Sequence, residues 1–262
     1  MIPKTIHYCW FGGNPKSEII EKCMDSWKKH CPDWEIKEWN ESNYDVNAHP
    51  YTKEAYEAKK WAFVSDLARL EIVCRNGGVY MDTDVELCGN LDHLLENDAF
   101  FVFETDINVN SGMGFGSVVD HSGVQAMIDV YNDLHFIKKG KMDLFPCPAR
   151  NTDGLKKQYP QFKCNGKSQL FDSVRILSIN EYAEFAVHHM AGTWGQGPLQ
   201  NRVYRDTKLK RILRNPDRIE FIETHFGKRI AKIYIFCVYD VMELGVLYFV
   251  KRLFLKLFVN KG

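Results

Sequence analysis

The 262-residue sequence predicts an α/β body resting on a parallel sheet, followed by a shorter basic helical tail. Three observations predict the body. A strand, a helix and a second strand follow one another near the start. A long helix-forming stretch is stopped by two glycines and runs straight into a strand, and AFFVFE is an apolar run of central-strand type. A strand–helix–strand succession joined by the usual right-handed crossover makes its two strands parallel.

The elements follow in order. Thr5–Trp10 is β-prone and is ended by Gly12-Gly13-Asn14-Pro15. Ser17 caps a helix to His30, with Ile19, Ile20, Cys23, Met24 and Trp27 at helical spacing. Trp34–Trp39 alternates as a strand does. Residues 51–76 are helix-rich, and Asn76-Gly77-Gly78 stops them because glycine accepts the left-handed cap. Val79–Met81 is a strand leading into Asp82-Thr83-Asp84. Ala99–Glu104 reads as a buried central strand, Asn110–Ser117 as a glycine-rich strand or turn, and Val124–Leu134 as a helix. Residues 138–170 read as loops with a short helix, and Ser173–Ile179 as a further strand.

The formal charge is zero, 34 basic against 34 acidic residues, which argues against a nucleic-acid partner. The zero conceals a split. Residues 1–200 hold 20 Lys+Arg and 28 Asp+Glu, a net of −8; residues 201–262 hold 14 and 6, a net of +8. Within the tail, residues 228–258 are strongly apolar. Their longest uncharged run is seven residues, short of the ~20 that span a bilayer. Lys228, Arg229, Lys232, Asp240, Glu243 and Lys251 gather on one arc of a helical wheel. Such a helix either packs its apolar face on the body or lies in an anionic membrane surface, and the second reading is favoured. The opening MIPKTIHYCWFGG lacks a charged segment followed by an apolar one, and the eight cysteines form no C-x-x-C pair. The expectation is a cytoplasmic protein with free thiols, peripheral on the inner face of a bacterial membrane.

The chemistry is concentrated in WAFVSDLARLEIVCRNGGVYMDTDVE, Trp61 to Glu86. Asp82 and Asp84, one residue apart at the carboxyl edge of a sheet, offer hard oxygens to magnesium or manganese. A cation so held can neutralise a departing diphosphate. Asp66 and Arg69, spaced i and i+3, share a helix face in front of that edge, as a surface ion pair or as a grip on sugar hydroxyls and phosphate. Tyr80 and Trp10 are flat faces that serve either a core or a nucleobase.

These blocks, IPKTIHYCWFGG, W-A-x-x-S-D-x-x-R with N-G-G-V-Y-M-D-T-D-V-E, and VHHMAGTW, resemble glycosyltransferase family 32, a group of DXD-containing sugar transferases that is related in fold to the clostridial glucosylating toxins. The resemblance covers residues 1–200 or so and leaves the end of the chain unmatched. It implies a single GT-A domain over 1–205, Rossmann-like with a mixed, mainly parallel sheet; the amphipathic tail over 206–262, read from its own pattern, lies outside the resemblance. The resemblance implies a nucleotide-sugar donor, a divalent metal with manganese preferred, and retention of anomeric configuration. By the resemblance, Trp10 stacks on the base and the backbone of Ile6–Tyr8 lines its pocket; Asp66 and Arg69 hold donor sugar and phosphate. Asp82 touches ribose or sugar and bridges to the metal, Asp84 ligates it, and Asn110 lies near the reacting carbon. His189, or else His188, completes the metal shell, and Trp194 caps the diphosphate.

The function so expected is transfer of a hexose to a growing lipid-linked or oligosaccharide acceptor in bacterial capsule or lipopolysaccharide synthesis. UDP-galactose leads among donors, ahead of UDP-N-acetylglucosamine and GDP-mannose. Neither Glu104 nor Asp106 is clearly placed as a nucleophile, which favours same-face transfer over double displacement. The competing readings are a non-catalytic nucleotide-sugar or carbohydrate-binding protein and a metal-dependent nucleotide-sugar hydrolase. The lack of a G-x-x-x-x-G-K-[ST] loop speaks against a phosphotransferase.

Overall fold

The computed structural model describes residues 1–189. The expected βαβ start is present: β1 (Thr5–Cys9), α1 (Glu18–His30) and β2 (Glu35–Trp39), with β1 and β2 parallel and in register from Thr5 opposite Glu35 to Cys9 opposite Trp39. Ile20, Cys23 and Trp27 are the buried stripe of α1. Ser17 occupies the cap position with extended backbone, but its side chain makes no capping bond.

The helix-rich stretch is two helices, α2 (Pro50–Glu57) and α3 (Trp61–Asn76). The break falls at Lys59, whose φ of 56° is left-handed although it is neither Gly nor Asn, so composition did not announce it. α3 is buried almost all round, and Gly77, at φ 66°, ends it. The strands β3 (Gly78–Tyr80), β4 (Val85–Leu87), β5 (Ala99–Val102) and β6 (Phe115–Ser117) follow. Every residue of β5 is buried, as its apolar run requires.

α4 (Ser122–Asp129) ends earlier than its apolar pattern suggests. A two-stranded hairpin, β7 (Ile137–Lys138) and β8 (Lys141–Met142), leads to α5 (Cys147–Gln158). α5 is the helix expected among the loops of this stretch, and at twelve residues it is longer than the short one foreseen. A proline in its first turn favours its start. Gly154 lets it approach α4 so closely that a Cβ there would meet the α4 backbone at Ala126 and Met127. The order closes with β9 (Gln169–Phe171), β10 (Val174–Leu177), α6 (Ile179–Tyr182) and β11 (Ala186–His188).

Seven strands form one sheet in the order β2-β1-β3-β6-β5-β10-β9. β1 is parallel to β2 and β3, and β5 to β10, while β6 and β9 run against their neighbours. The sheet is therefore mixed and mainly parallel. α3, α4 and α5 bury one apolar cluster, with Leu67, Leu70, Phe101, Phe115 and Tyr131; a second, around Trp27, Val79, Val85, Phe100 and Leu177, fills the other face. Burying a side chain of this size contributes about 1.5–3 kcal/mol.

Among the described residues the cysteines are free thiols, and no helix is long and apolar enough to cross a membrane. Residues 206–262, including the amphipathic tail, lie outside the described residues, as does Trp194.

Candidate functional site

At the carboxyl end of β3 the chain leaves the sheet through Met81 and makes a tight turn, Asp82-Thr83-Asp84, into β4; Val85 N–H donates to Asp82 O at 3.0 Å. The two aspartates therefore belong to a turn rather than to the strand. Open α/β sheets bind ligands at this edge. β11 pairs antiparallel with β4, setting His188 opposite Val85. This small two-stranded sheet carries a histidine from 104 residues further on to the acidic turn.

His188 Nε2 lies 3.1 Å from Asp84 Oδ1, and ligand atoms of Asp82, Asp84 and His188 all lie within 4.8 Å of one another. His188 Nδ1 is buried with no hydrogen-bond partner among the described residues. Burial works against charge on this ring, but hydrogen bonding and attraction from Asp84, with Asp82 and Glu104 behind, raise its pKa above the usual 6.5. Two carboxylates and an imidazole suit a manganese or magnesium ion, so the residues present fit a divalent cation.

His189, the histidine preferred on sequence, is placed differently, and this corrects that preference. Its Nε2 meets Glu86 Oε2 at 2.8 Å, and its backbone N–H donates to Asp84 O at 3.0 Å. Strand alternation sends adjacent side chains opposite ways, so only one of the pair joins the aspartates. His189 instead lowers the Glu86 pKa through their hydrogen bond, with Lys22 assisting.

Behind the turn lies a buried charge cluster. Arg69 Nη2 meets Asp66 Oδ1 at 3.0 Å, Nη1 meets Asp82 Oδ2 at 3.4 Å, and Nε donates to Ser65 O at 2.9 Å. Asp66 and Arg69 are the buried ion pair of this helix, not a surface pair. Desolvation raises the Asp66 pKa, opposed chiefly by Arg69 and by a hydrogen bond from the Cys147 thiol. The Cys9 thiol, buried next to the cluster, is pushed up to about 12 by desolvation. Both thiols are protonated neighbours rather than nucleophiles.

Asn110 belongs to the same centre. It is buried, its Nδ2 donates to Glu104 Oε1 at 3.2 Å, and its Oδ1 accepts from Gly112 N–H at 2.7 Å. Gly112 O in turn accepts from Asp82 N–H at 2.9 Å. A Cβ at Gly112 would collide with Asp82 Oδ2 and Arg69 Nη1 and press on Asn110 Oδ1. The bare glycine is what lets these three functional side chains converge. The glycine-rich stretch was visible in sequence, but its partner was not.

The aromatic expectations divide. Trp10 is half-buried at the end of β1; its Nε1–H donates to Asn14 O at 2.7 Å, and Lys16 Nζ sits 5.3 Å from its ring. Tyr80 is fully buried and is no exposed platform: its hydroxyl donates to Asp82 Oδ1 at 3.0 Å, and the Arg69 guanidinium lies 5.1 Å from its ring. It positions Asp82. Tyr8 is likewise buried, its hydroxyl bonded to Glu38 Oε2 at 2.6 Å, and Ile6 is wholly within the core. The β1 backbone around them is flanked by β2 and β3, so any part these two residues take in a donor pocket falls to their backbone rather than to their side chains.

Residues 17–101 match a family model described as a glycosyltransferase sugar-binding region containing DXD motif, and Asp82-Thr83-Asp84 falls inside the match. Among solved structures, the PaToxG glycosyltransferase is similar with a TM-score of 0.50 and 16% identity, over 61% of this chain and 70% of that one. A structure of a mutant transferase aligns with a TM-score of 0.38 and 13% identity, over 62% of this chain and 89% of that one. No curated protein sequence matches. The likeness to PaToxG is one of fold: a GT-A architecture with a mixed, mainly parallel sheet. Residues 17–101 are thus similar to a DXD glycosyltransferase region, and the fold is of GT-A type.

Proposed function

We propose that the protein is a metal-dependent glycosyltransferase that moves a hexose from a nucleotide sugar, UDP-galactose first among donors, to a glycan acceptor with retention at the anomeric carbon. The observation that carries this reading is the gathering of Asp82, Asp84 and His188 beside the buried Asp66–Arg69 pair. Three carboxylates face one permanent cation there, so a diphosphate is tolerated only with further positive charge. Asp82, Asp84 and His188 would hold a divalent ion, which when bound neutralises charge developing on the diphosphate.

Arg69, fixed between two carboxylates, adds a rigid donor array at the same place, and rigid donors stabilise developing charge most effectively. Asp66 and Asn110 orient the sugar hydroxyls, Trp10 stacks on the base, and Trp194 caps the diphosphate. The acceptor oxygen bonds to the anomeric carbon on the face that the phosphate oxygen leaves, and that oxygen takes the acceptor proton. In this scheme Glu104 is a partner of Asn110, whose Nδ2 donates to Glu104 Oε1 at 3.2 Å. Residues 206–262 form the basic segment that keeps the body at an anionic membrane bearing a lipid-linked acceptor, at its cytoplasmic face.

The test is a panel of nucleotide sugars with manganese or magnesium, read by thermal stabilisation and by release of nucleoside diphosphate. A UDP-hexose should stabilise the protein only with metal and should be turned over. Full metal-dependent transfer by Asp84→Ala overturns the site assignment. Release of free sugar as the sole product with every glycan acceptor overturns transfer in favour of hydrolysis.

A further inference from the structure

The segment 137–145, Ile-Lys-Lys-Gly-Lys-Met-Asp-Leu-Phe, has a surface unlike the rest of the body. Lys139 and Gly140 have φ of 51° and 73°, the backbone of a two-residue hairpin turn that carries β7 tightly into β8. Every residue of both strands is exposed. Of the nine large apolar side chains that stand exposed among the described residues, four are here: Ile137, Met142, Leu144 at 61% and Phe145 at 50%. Ile137 and Met142 are paired across the hairpin and so share one face.

The same nine residues hold Lys138, Lys139 and Lys141 against Asp143 alone, a net of +2 on a body whose first 200 residues sum to −8. Asp143 is engaged from within: Arg150 Nη2 meets it at 2.8 Å, and Lys138 Nζ reaches it at 3.3 Å. The base is anchored as well. Ile137 N–H donates to Glu54 Oε2 at 2.8 Å, His135 Nδ1 meets Glu54 Oε1 at 2.6 Å, and Arg150 Nη1 donates to Phe145 O at 3.3 Å. The apolar side chains are therefore held outward by a rigid base.

We propose that this hairpin is an interfacial contact for an anionic lipid surface, with Leu144, Phe145 and Met142 entering the headgroup region and Lys139 and Lys141 meeting lipid phosphates. Lysines alone would suit any polyanion, and exposed apolar groups alone any greasy partner. The two together on one short loop match the headgroup boundary, where charge and hydrocarbon meet within a few ångströms. Phe145 stands two residues before the buried Cys147, which begins α5. The contact itself does not depend on the transfer reading.

The test is sedimentation of the full chain with phosphatidylglycerol-containing and pure phosphatidylcholine vesicles. Wild type should partition to the anionic vesicles, less so as salt rises. Reversing Lys139 and Lys141 to Glu should cut partitioning at least about 30-fold, taking about fivefold for each of the two positive charges lost near such a surface. Leu144→Asp with Phe145→Asp should cut it at least about tenfold, while thermal stability and metal-dependent release of nucleoside diphosphate stay as in wild type. Leu144→Trp adds a fluorophore whose emission should shift to the blue with anionic vesicles only. Less than a twofold change in both charge and apolar variants overturns the proposal and leaves any membrane binding to residues 206–262. Loss of transfer to a soluble acceptor with unchanged vesicle binding also overturns it, in favour of a glycan-binding loop.

Discussion

The aspartates at the end of β3 differ sharply from one another although one residue separates them. Asp82 is turned toward Tyr80 and Arg69, which hold it, and Arg69 is itself paired with Asp66. Asp84 faces the β4–β11 ribbon and meets His188. The inner cluster is charge-paired by the fold itself. The outer one combines carboxylates and imidazole in a form that a cation can take over. The two therefore answer to different experiments, since the first is coupled to stability and the second to ligand. Two histidines repeat the contrast, for His188, hydrogen-bonded to a carboxylate, has a raised pKa while His7, buried with neutral hydrogen-bond partners, has a lowered one.

The largest effect expected is on the inner cluster. Arg69→Ala leaves Asp66 buried without its cation, and breaking one side of such a pair costs about 3–5 kcal/mol. Urea denaturation should register that loss without any metal or substrate, and Asp66→Asn in the same chain should recover part of it. Equal stability of wild type and Arg69→Ala would erase the distinction between the clusters. The outer cluster should behave the other way. Asp84→Ala and His188→Ala should each weaken manganese binding by at least about 100-fold in calorimetry, from loss of a direct ligand. Their metal-free stability should change by no more than about 1 kcal/mol. His189→Ala, whose ring is committed to Glu86, should change manganese affinity by less than about tenfold.

Gly112→Ala tests how tightly the inner cluster is assembled. The new methyl overlaps Asp82 and Arg69, and forcing it into a filled space costs about 1–3 kcal/mol. Because the displaced groups are functional, donor affinity should fall along with thermal stability. A variant that loses stability but keeps donor affinity would show that Gly112 matters to packing alone.

How much of this was legible beforehand follows from whether the signal is local. β1, α1, β2, the Gly77 stop and β5 were readable because spacing, caps and apolar runs are properties of neighbouring residues. The S-D-x-x-R and D-x-D residues were readable as a group for the same reason. The choice between His188 and His189 was not, because it depends on the register of β11 against β4 across about a hundred residues. Tyr80 read as platform or as core, and only the sheet order decides that it is enclosed. The place and length of α5 within 138–170 were not legible, because its polar composition and internal glycine hide a helix that packs closely against α4. The hairpin at 137–145 was passed over as loop, since a lysine-rich segment says nothing about which apolar side chains remain outside.

The last effect expected is confined to acid pH: it concerns His7, and it separates burial from pairing. Trp39 Nε1–H can only donate, so at 3.1 Å it fixes His7 Nδ1 as an acceptor; the proton then sits on Nε2, which donates to Gly77 O at 2.9 Å. A second proton would point Nδ1–H at another donor inside the sheet. Desolvation above all takes the folded pKa from 6.5 to about 4. Since the folded value is the lower one, the unfolded chain binds the extra proton between about 6.5 and 4. Stability is therefore undiminished above that window, falls as pH drops through it by up to about 1.4 kcal/mol per unit, and levels off below. His7→Gln keeps a donor and an acceptor without a titrating group, so its denaturation midpoints should fall less steeply over the same range. An identical slope in both proteins would show that His7 takes up its proton in the folded state as readily as in the unfolded, and that burial without a charged partner does not set its behaviour.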